Sequence, residues 1–383
     1  MIKKLKPVGG IATLFVGSLL FQIVQVGAFP ILLSQLLSAW GTDSFTIGVF
    51  VAISWVVVFA AGPFVPRLIT TLGSRHANSL AFVCTLSGLM FLLLPISFLG
   101  VFAASVAMGL GLIVRWVNCD TLVVHLSDDQ VRGRTIGFHE ALMGLGIGLG
   151  PLLFVLPNMD WVIWTCICIV LVGQLAFLFT NTVLSDQVMA ADRLPFSKRI
   201  LLRAISMALV AALIAGFIEN SSIALLPLYF ENVNFSLGIS AILVSSFGFG
   251  GTLLQPALGY LADRQSYFFA QMVCVVTIIV GGIIIYVFAG VFVVSLIALF
   301  FLGGAAGGLN TLAVIEAGNH QENTQIPAAM TAIAMFYTLG SIVGPVASGA
   351  VLDAFNGQGM MALFILVGAL LGGGLFAHRN GFR

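Results

Sequence analysis

Five charged residues inside long apolar stretches of this sequence are candidates for chemistry, because charged side chains are rare there. They are Arg115, Asp120, Glu140, Glu219 and Glu316. Placing a charge near the centre of a lipid bilayer costs at least about 2.5–3.5 kcal/mol on insertion scales. Each of these side chains is therefore expected to face a polar cavity or a partner, and each is a candidate for binding or for proton transfer.

Glu219 is the first candidate for binding a proton. It lies near the middle of an apolar stretch, with Asn220 and Ser221 beside it and Pro227 two turns later. A carboxyl group removed from water favours its neutral form, which allows it to load and release a proton near neutral pH. The alternative reading is that Glu219 only neutralises Arg115.

Glu140 is the second candidate for proton coupling, because it follows His139 directly and a partly buried Glu beside a His can titrate. The equivalent places of the second half hold Ile333 and Ala334. This asymmetry favours a function over a scaffold role. A surface-facing His139 is the alternative.

Arg115 keeps its charge at any physiological pH, so it cannot carry protons itself. It can instead hold a substrate carboxylate or phosphate, or pair with a nearby acid, and both roles fit the sequence. Trp116 and Asn118 stand close by on the same stretch. Further residues expected to line a substrate cavity are Gln22, Gln25, Asn220, Asn310, Tyr337, Trp55 and Phe336.

A separate group of charged residues is expected to control opening and closing rather than to touch a substrate. Asp120 and Glu316 lie near the ends of their apolar stretches, within reach of basic residues in the adjoining loops. The predicted gating residues are Arg67, Asp120, Arg132, Arg134, Gly259, Asp263, Arg264 and Glu316.

The composition requires a membrane protein. Of 383 residues 60% are hydrophobic and only 8% are charged, against about 25% charged in soluble domains. Apolar stretches of roughly 20 residues, the length that crosses a bilayer as a helix, occur near 10–38, 45–66, 77–96, 98–125, 135–157, 160–181, 204–230, 237–261, 267–289, 292–317, 326–352 and 357–378.

Other classes of function find no support in the sequence. The net charge of +1 indicates no nucleic-acid partner, and no nucleotide-binding loop is present. The five cysteines fall inside apolar stretches, so we expect buried thiols rather than disulfides or a metal site. Cys166 and Cys168 are separated by one residue, which aims them at different faces of a helix.

The basic residues give the orientation. With twelve spans, all Lys and Arg residues except Arg115 fall on one side of the membrane, and basic residues accumulate in cytoplasmic loops. Both termini are therefore predicted to be cytoplasmic.

The chain also contains an internal repeat. A shift of 197 residues places Gln22 on Glu219 and Pro30 on Pro227, and a shift of 194 places Gly150 on Gly344. We therefore predict a six-helix bundle at 1–181, a cytoplasmic linker at 182–203 and a second six-helix bundle at 204–383. A Pro after close-packed glycines permits a bend; the predicted helix bends are Gly150, Pro151, Gly344 and Pro345.

The segment Gly259-Tyr-Leu-Ala-Asp263-Arg264 resembles the loop signature of the major facilitator superfamily. Its first-half copy ends at Arg67 but has Pro66 where the family usually has Asp, and Gly150-Pro151 resembles the family's antiporter signature. Arg132-Gly-Arg134 is also similar to a family loop. Many drug exporters of the family have an Arg where this chain has Ser105. The segment from Trp116 to Asp120 instead resembles a small bacterial branch of uncertain substrate.

This resemblance implies an all-α protein with twelve transmembrane helices in two pseudo-symmetric bundles, monomeric and located in the bacterial inner membrane. It implies a secondary transporter that works by alternating access, with a small-molecule site near the midplane between its halves and the proton gradient, rather than a cofactor, as energy source. Proton-coupled antiport that exports a small organic molecule is narrowly favoured. Symport that takes up an organic anion, for which Arg115 is suited, is the alternative, and a membrane-embedded enzyme or a channel is less favoured.

Overall fold

The computed structural model describes residues 9–127, 131–180, 206–319, 326–355 and 357–381. All regular elements within these ranges are helices. The predicted linker at 182–203 and the side chain of Arg132 lie outside the described residues. Twelve long helical passages, α1 to α12, follow one another along the chain.

The first six passages include three, α1, α2 and α5, that contain a segment of tighter or wider helical turns. Their bounds are Gly9–Gln22, π-helical Ile23–Ala28 and Phe29–Ala39 for α1; Ser44–Ala61, 3₁₀-helical Gly62–Phe64 and Val65–Leu72 for α2; Ser74–Leu92 for α3; Phe98–Leu126 for α4; Arg132–Leu149 followed by 3₁₀-helical Gly150–Val155 for α5; and Met159–Leu178 for α6.

The second six passages are more regular. Their bounds are Ser206–Glu231 for α7, Leu237–Leu253 and Gln255–Arg264 for α8, Tyr267–Phe288 for α9, Phe292–Asn319 for α10, Ile326–Ala354 for α11 and Gly359–Gly381 for α12.

Eleven of the described helices are long and apolar enough to cross a membrane, judged by length and composition. The passage that falls short is α3, which has 19 residues and begins with Ser74, Arg75 and His76. These polar residues lower its mean hydropathy but leave its length sufficient for a crossing. The architecture is that of an all-α membrane protein with twelve helices.

Local sequence signals start several of these helices. Ser97, Asn158, Ser236 and Ser266 each accept, on the side-chain oxygen, a hydrogen bond from the backbone N–H three residues later. Such caps satisfy donors that the first helical turn leaves free. Gly73 ends α2 with a φ of 78°, a left-handed conformation that favours glycine.

The helices form two compact units. The described residues of the first unit lie within Met1–Leu32 and Val56–Arg193, and those of the second lie within Leu33–Trp55 and Leu194–Arg383. Residues 33–55 thus join the second unit, since Gly48 packs on the Pro345 carbonyl and Gly349 on the Ser44 carbonyl. The division into bundles 1–181 and 204–383 stays a prediction.

Glycines bring the first and fifth helices of each repeat into close contact. In the first unit a Cβ on Gly27 would lie 2.7 Å from the Gly146 carbonyl oxygen and 2.9 Å from the Gly150 Cα. In the second unit Gly340 and Gly344 of α11 pack on backbone carbonyls of α7. The glycines that the sequence repeat aligned therefore occupy equivalent contacts.

The two glycine-proline steps differ in local geometry. In α5 the α-helix gives way to a 3₁₀ segment that begins at Gly150. In α11 the α-helix continues through Pro345 to Ala354. The predicted bends at these steps stay predictions.

The five cysteines are free thiols. Cys166 is buried and Cys168 exposed, as their different helical faces predicted. The expectation that all five thiols are buried was therefore wrong at Cys168, and Cys84 is only partly buried. Two residues along a helix turn a side chain through about 200°, which places the second thiol on the outer face.

Candidate functional site

Arg115 lies in the interior of the first unit, with 2% of its surface exposed. Its Nε donates a hydrogen bond to the Gln25 side-chain oxygen at 2.6 Å, and its Nη2 donates to the Gln22 side-chain oxygen at 2.7 Å. Gln25 in turn donates to the Thr85 hydroxyl at 2.7 Å. Three residues predicted to line a cavity are thus joined in one hydrogen-bonded group.

Local helix geometry positions the two glutamines. Gln25 lies in the π-helical segment Ile23–Ala28, and such segments are frequent at functional sites. The glycine contact between α1 and α5 brings Met143 near the same group, with its sulfur 3.7 Å from Arg115 Nη1. The guanidinium is therefore enclosed by α1, α4 and α5.

The charge of Arg115 has no carboxylate in contact. Among the described residues of the first unit, none of the Asp or Glu oxygens lies within 4.0 Å of its nitrogens. A guanidinium carries five N–H groups, and only the two bonds to glutamine are strong ones.

Asn118 and Trp116, also predicted to contact substrate, are engaged elsewhere. Asn118 is fully buried and donates to the Ser74 carbonyl at 3.0 Å and to the Asn78 side-chain oxygen at 2.8 Å, while Ser74 donates to its oxygen at 2.6 Å. Trp116 lies near Asp120, one turn further along α4. The bonds of Asn118 pack α3 on α4; the substrate contacts of both residues stay predictions.

A second polar group joins α7 and α11 in the second unit. Asn220 donates to the Ser341 hydroxyl at 2.8 Å and to the Gly216 carbonyl at 3.2 Å, and lies 3.4 Å from the Tyr337 hydroxyl oxygen. The Tyr337 hydroxyl lies near the carboxyl group of Glu219 and interacts with it electrostatically. Glu219, the predicted proton site, therefore lies beside the Tyr337 hydroxyl group.

Trp55 completes this group, because its ring meets the Tyr337 ring edge-on with the centroids 6.2 Å apart. No basic nitrogen among the described residues of the second unit lies within 4.0 Å of Glu219. Glu219 is partly exposed, as are Asn310 on α10 and Phe336 on α11. The structure therefore brings together Glu219, Asn220, Tyr337 and Trp55.

The predicted gating residues of the second unit lie at helix ends. Asp263 and Arg264 are exposed at the end of α8, and the Arg264 guanidinium lies over the Tyr260 ring, 5.2 Å from its centroid. Glu316 accepts a hydrogen bond from the Gln271 side-chain nitrogen at 2.7 Å. Gly259 has only the Ile315 side chain near its Cβ position.

The predicted gating residues of the first unit divide into exposed cations and one acid. Arg67 and Arg134 are exposed. Asp120 lies near His139 and Glu140, since His139 Nδ1 is 3.8 Å from an Asp120 oxygen and 3.9 Å from a Glu140 oxygen. The gating roles, and the proton-coupling role of Glu140, stay predictions.

Sequence reasoning missed a carboxylate that holds the start of α2. The Asp353 oxygens accept backbone N–H bonds from Ser44 at 2.9 Å and Phe45 at 2.8 Å. A negative charge is favourable at a helix N-terminus. Asp43 marks the start of α2 in the sequence, and a hydrogen bond from the Thr46 backbone N–H lowers the pKa of its carboxyl group. The contact with the distant Asp353 had no such signal.

A similar polar contact joins the end of α1 to the end of α7. The Gln35 side-chain nitrogen donates to a Glu231 oxygen at 3.2 Å. Gln35 and Glu231 both lie at the borders of apolar stretches, which is an ordinary place for polar residues, so the sequence carried no signal for this pair.

Comparisons with known proteins agree with this architecture. Residues 14–320 match the profile of the Major Facilitator Superfamily. The "Uncharacterized MFS-type transporter YcaD" of Salmonella paratyphi B is 27% identical over 317 residues, which cover 80% of this chain and 79% of the relative. Its Escherichia coli counterpart is 28% identical over 313 residues, which cover 79% of this chain and 78% of the relative.

Solved structures give the same fold. The crystal structure of the nucleoside transporter NupG matches with a TM-score of 0.77 and 13% identity, covering 97% of this chain and 99% of NupG. A mutant of NupG matches equally well. These relatives and neighbours are transporters rather than enzymes. This chain is therefore a multi-pass membrane protein and a secondary transporter, and it belongs to the Major Facilitator Superfamily.

Proposed function

We propose that this transporter carries a small organic anion together with protons, and that Arg115 binds the anionic group. The observation that carries the proposal is a buried guanidinium whose strong hydrogen bonds all go to neutral amide oxygens. A buried charge without a partner is costly. A bound carboxylate or phosphate supplies the missing charge, and the planar guanidinium suits both.

Glu219 is the proposed proton site. The nearby Tyr337 hydroxyl supports the proposal, because a hydroxyl can donate to a carboxylate and can accept from a carboxylic acid. Glu219 can therefore change its protonation state without leaving a partner charge unpaired. In alternating access, such a group loads a proton on one side of the membrane and releases it on the other.

Symport is the mode of proton coupling that best fits an anionic substrate. Moving one elementary charge against the membrane potential costs about 2.3 kcal/mol per 100 mV. An anion that enters with a proton carries less net charge, so a potential that is negative inside opposes it less. The proton on Glu219 and the anion on Arg115 then travel in the same direction.

Antiport that exports a small organic molecule is the second candidate. It rests on the resemblance of α5 to the antiporter signature and on the close contact of Gly146 and Gly150 with Gly27. Such contacts also serve plain helix packing. The buried guanidinium favours the anion symport over this reading, and a flux measurement separates the two.

Ligand binding provides the first test. Thermal-shift measurements on purified protein would compare small carboxylates and phosphate esters with nucleosides and with the methyl ester of each acid. The acids or phosphates are expected to stabilise the protein and their neutral esters are not. Arg115→Gln should remove this stabilisation, while Arg75→Gln, a matched change of an exposed arginine, should keep it.

The sign of coupling provides the second test. In proteoliposomes loaded with buffer, symport accumulates the labelled ligand when the outside is acidic, and antiport accumulates it when the inside is acidic. This sign does not depend on how the protein is inserted. Equal stabilisation by acid and ester, or unchanged ligand binding in Arg115→Gln, would contradict the anion site; accumulation driven only by an acidic interior would establish antiport instead.

A further inference from the structure

Asp120, His139 and Glu140 form a compact group between α4 and α5 in the first unit. One potential ligand atom from each residue lies within 4.8 Å of the other two. His139 Nδ1 is 3.8 Å from an Asp120 oxygen and 3.9 Å from a Glu140 oxygen. The anion site proposed above uses none of these three residues.

The imidazole of His139 is the unusual member of the group. It is buried, with 2% of the side chain exposed, whereas the side chains of Asp120 and Glu140 are 43% and 59% exposed. Its ring packs against the Phe15 ring, with the centroids 5.9 Å apart and the ring planes inclined by 31°. The ring is thus held in place while both acids remain accessible from outside the protein.

His139 lacks hydrogen bonds to the described residues. Its Nε2 is buried without a partner, and its Nδ1 points at the two carboxylates from beyond the usual hydrogen-bond range of about 2.7–3.2 Å. Buried polar groups almost always have a partner. The separations at Nδ1, on the other side of the ring from Nε2, are too long for hydrogen bonds and leave space for a ligand between Nδ1 and the carboxylate oxygens.

The spacing suits a metal ion. Zinc lies about 2.0–2.2 Å from imidazole nitrogen and carboxylate oxygen, which separates its ligand atoms by roughly 3–3.6 Å. The observed 3.8 Å and 3.9 Å need only small movements of the accessible carboxylates. Imidazole with carboxylates is a ligand set for transition metals such as zinc, manganese and cobalt.

We propose that Asp120, His139 and Glu140 bind one divalent transition-metal ion between α4 and α5. The two carboxylates supply two negative charges, and the neutral imidazole supplies a nitrogen lone pair. Water completes the coordination on the accessible side. The bound ion links α4, the helix that carries Arg115, to α5 at the ends nearest their connection.

The other explanation is a protonated His139 attracted to both acids without a metal. An imidazolium between two carboxylates normally forms short charge-assisted hydrogen bonds of about 2.7–2.9 Å. Neither separation approaches that length. Metal binding by a variant that lacks one carboxylate distinguishes the two cases. The variant binds the ion more weakly if the group is a metal site, whereas an imidazolium pair needs no added ion.

Zinc binding to the full-length protein tests the proposal. The protein would be purified without a polyhistidine tag, treated with a chelator and titrated with Zn²⁺ in a calorimeter; Co²⁺ absorption would report ligand type. One ion per chain is expected. Glu140→Gln, Asp120→Asn and His139→Asn should each weaken binding at least about tenfold, as losses around metal sites do, while His76→Ala, at an exposed histidine, should change nothing.

Two results would overturn the metal site. One is the absence of saturable Zn²⁺ and Co²⁺ binding up to about 1 mM. The other is wild-type affinity in Glu140→Gln, because a true ligand cannot be lost without weakening the binding of the ion. Neither result bears on anion binding at Arg115, so the two proposals fail separately.

Discussion

Arg115 and Glu219 both have uncharged side chains as their nearest polar neighbours, and we propose different roles for them. Arg115 keeps its proton, and we propose that an anion binds it beside Gln22 and Gln25. Glu219 can gain a proton, and Tyr337 accommodates both of its forms. A permanent cation therefore suits substrate binding, and a carboxyl group suits proton coupling.

Replacing Glu219 with glutamine tests the proton site. Glu219→Gln keeps the size and polarity of the protonated side chain, so ligand binding should persist with a smaller dependence on pH, and exchange of ligand across the membrane should continue. Accumulation driven by a proton gradient should be lost. Both are measured in proteoliposomes, with Glu231→Gln, the same change at the end of the same helix, as the control that keeps accumulation.

The competing role of Glu219, neutralising Arg115, predicts a different outcome. Breaking a buried ion pair costs about 3–5 kcal/mol, so Glu219→Gln alone would then express poorly. Adding Arg115→Gln would restore expression in that case. Gradient-driven accumulation by the double variant at the wild-type rate would eliminate both assignments.

At the scale of elements, backbone-to-backbone contact decides how α5 packs on α1 and how α11 packs on α7. Gly340 offers a sharp test, because an added Cβ would overlap the Leu213 carbonyl oxygen of α7. Gly340→Ala should therefore lower the stability by about 1–3 kcal/mol, the usual cost of overpacking. The thermal unfolding midpoint in detergent measures this loss.

Gly374→Ala is the matched control for that change. Gly374 also lies within a helix, α12, but its Cβ position has no atoms within 4 Å. Alanine there should be neutral or stabilising by about 0.4–1 kcal/mol, because it reduces the freedom of the unfolded chain. Equal midpoints for both variants would show that the glycine contact in α11 is not tight.

Helix positions were largely predictable from the sequence, since long apolar runs leave few alternatives in a membrane. The stretch predicted near 98–125 is α4, Phe98–Leu126. The stretch predicted near 77–96 is displaced, since α3 begins at Ser74, directly after Gly73. Polar residues at 74–76 looked like a loop, but helices also carry such residues in their first turn.

Side-chain partners across helices were much less predictable. Periodicity gives the spacing along one helix, whereas a partner on another helix depends on rotation and depth, which the sequence does not specify. Gln22 and Gln25 were predicted as cavity residues but not as partners of Arg115. The contact of Asp353 with the start of α2 joins residues 309 apart in sequence and had no signal.

At the scale of the whole molecule, orientation in the membrane is the property that the basic residues predict most directly. The helix α9, Tyr267–Phe288, has 22 residues, so it is about 33 Å long and crosses the apolar core, which is about 30 Å thick. Its two ends must therefore lie on opposite sides. Arg264 precedes it and predicts a cytoplasmic start.

Cysteine labelling at the two ends of α9 tests this orientation. Gly290→Cys has open space around the new side chain, and Gln265→Cys is exposed just before the helix. In intact cells, a membrane-impermeant maleimide should label Gly290→Cys and leave Gln265→Cys unlabelled until the membrane is opened. The unmodified protein, with its own free cysteines, gives the background. Labelling of Gln265→Cys alone in intact cells would reverse the orientation, and labelling of both would mean that α9 does not cross the membrane.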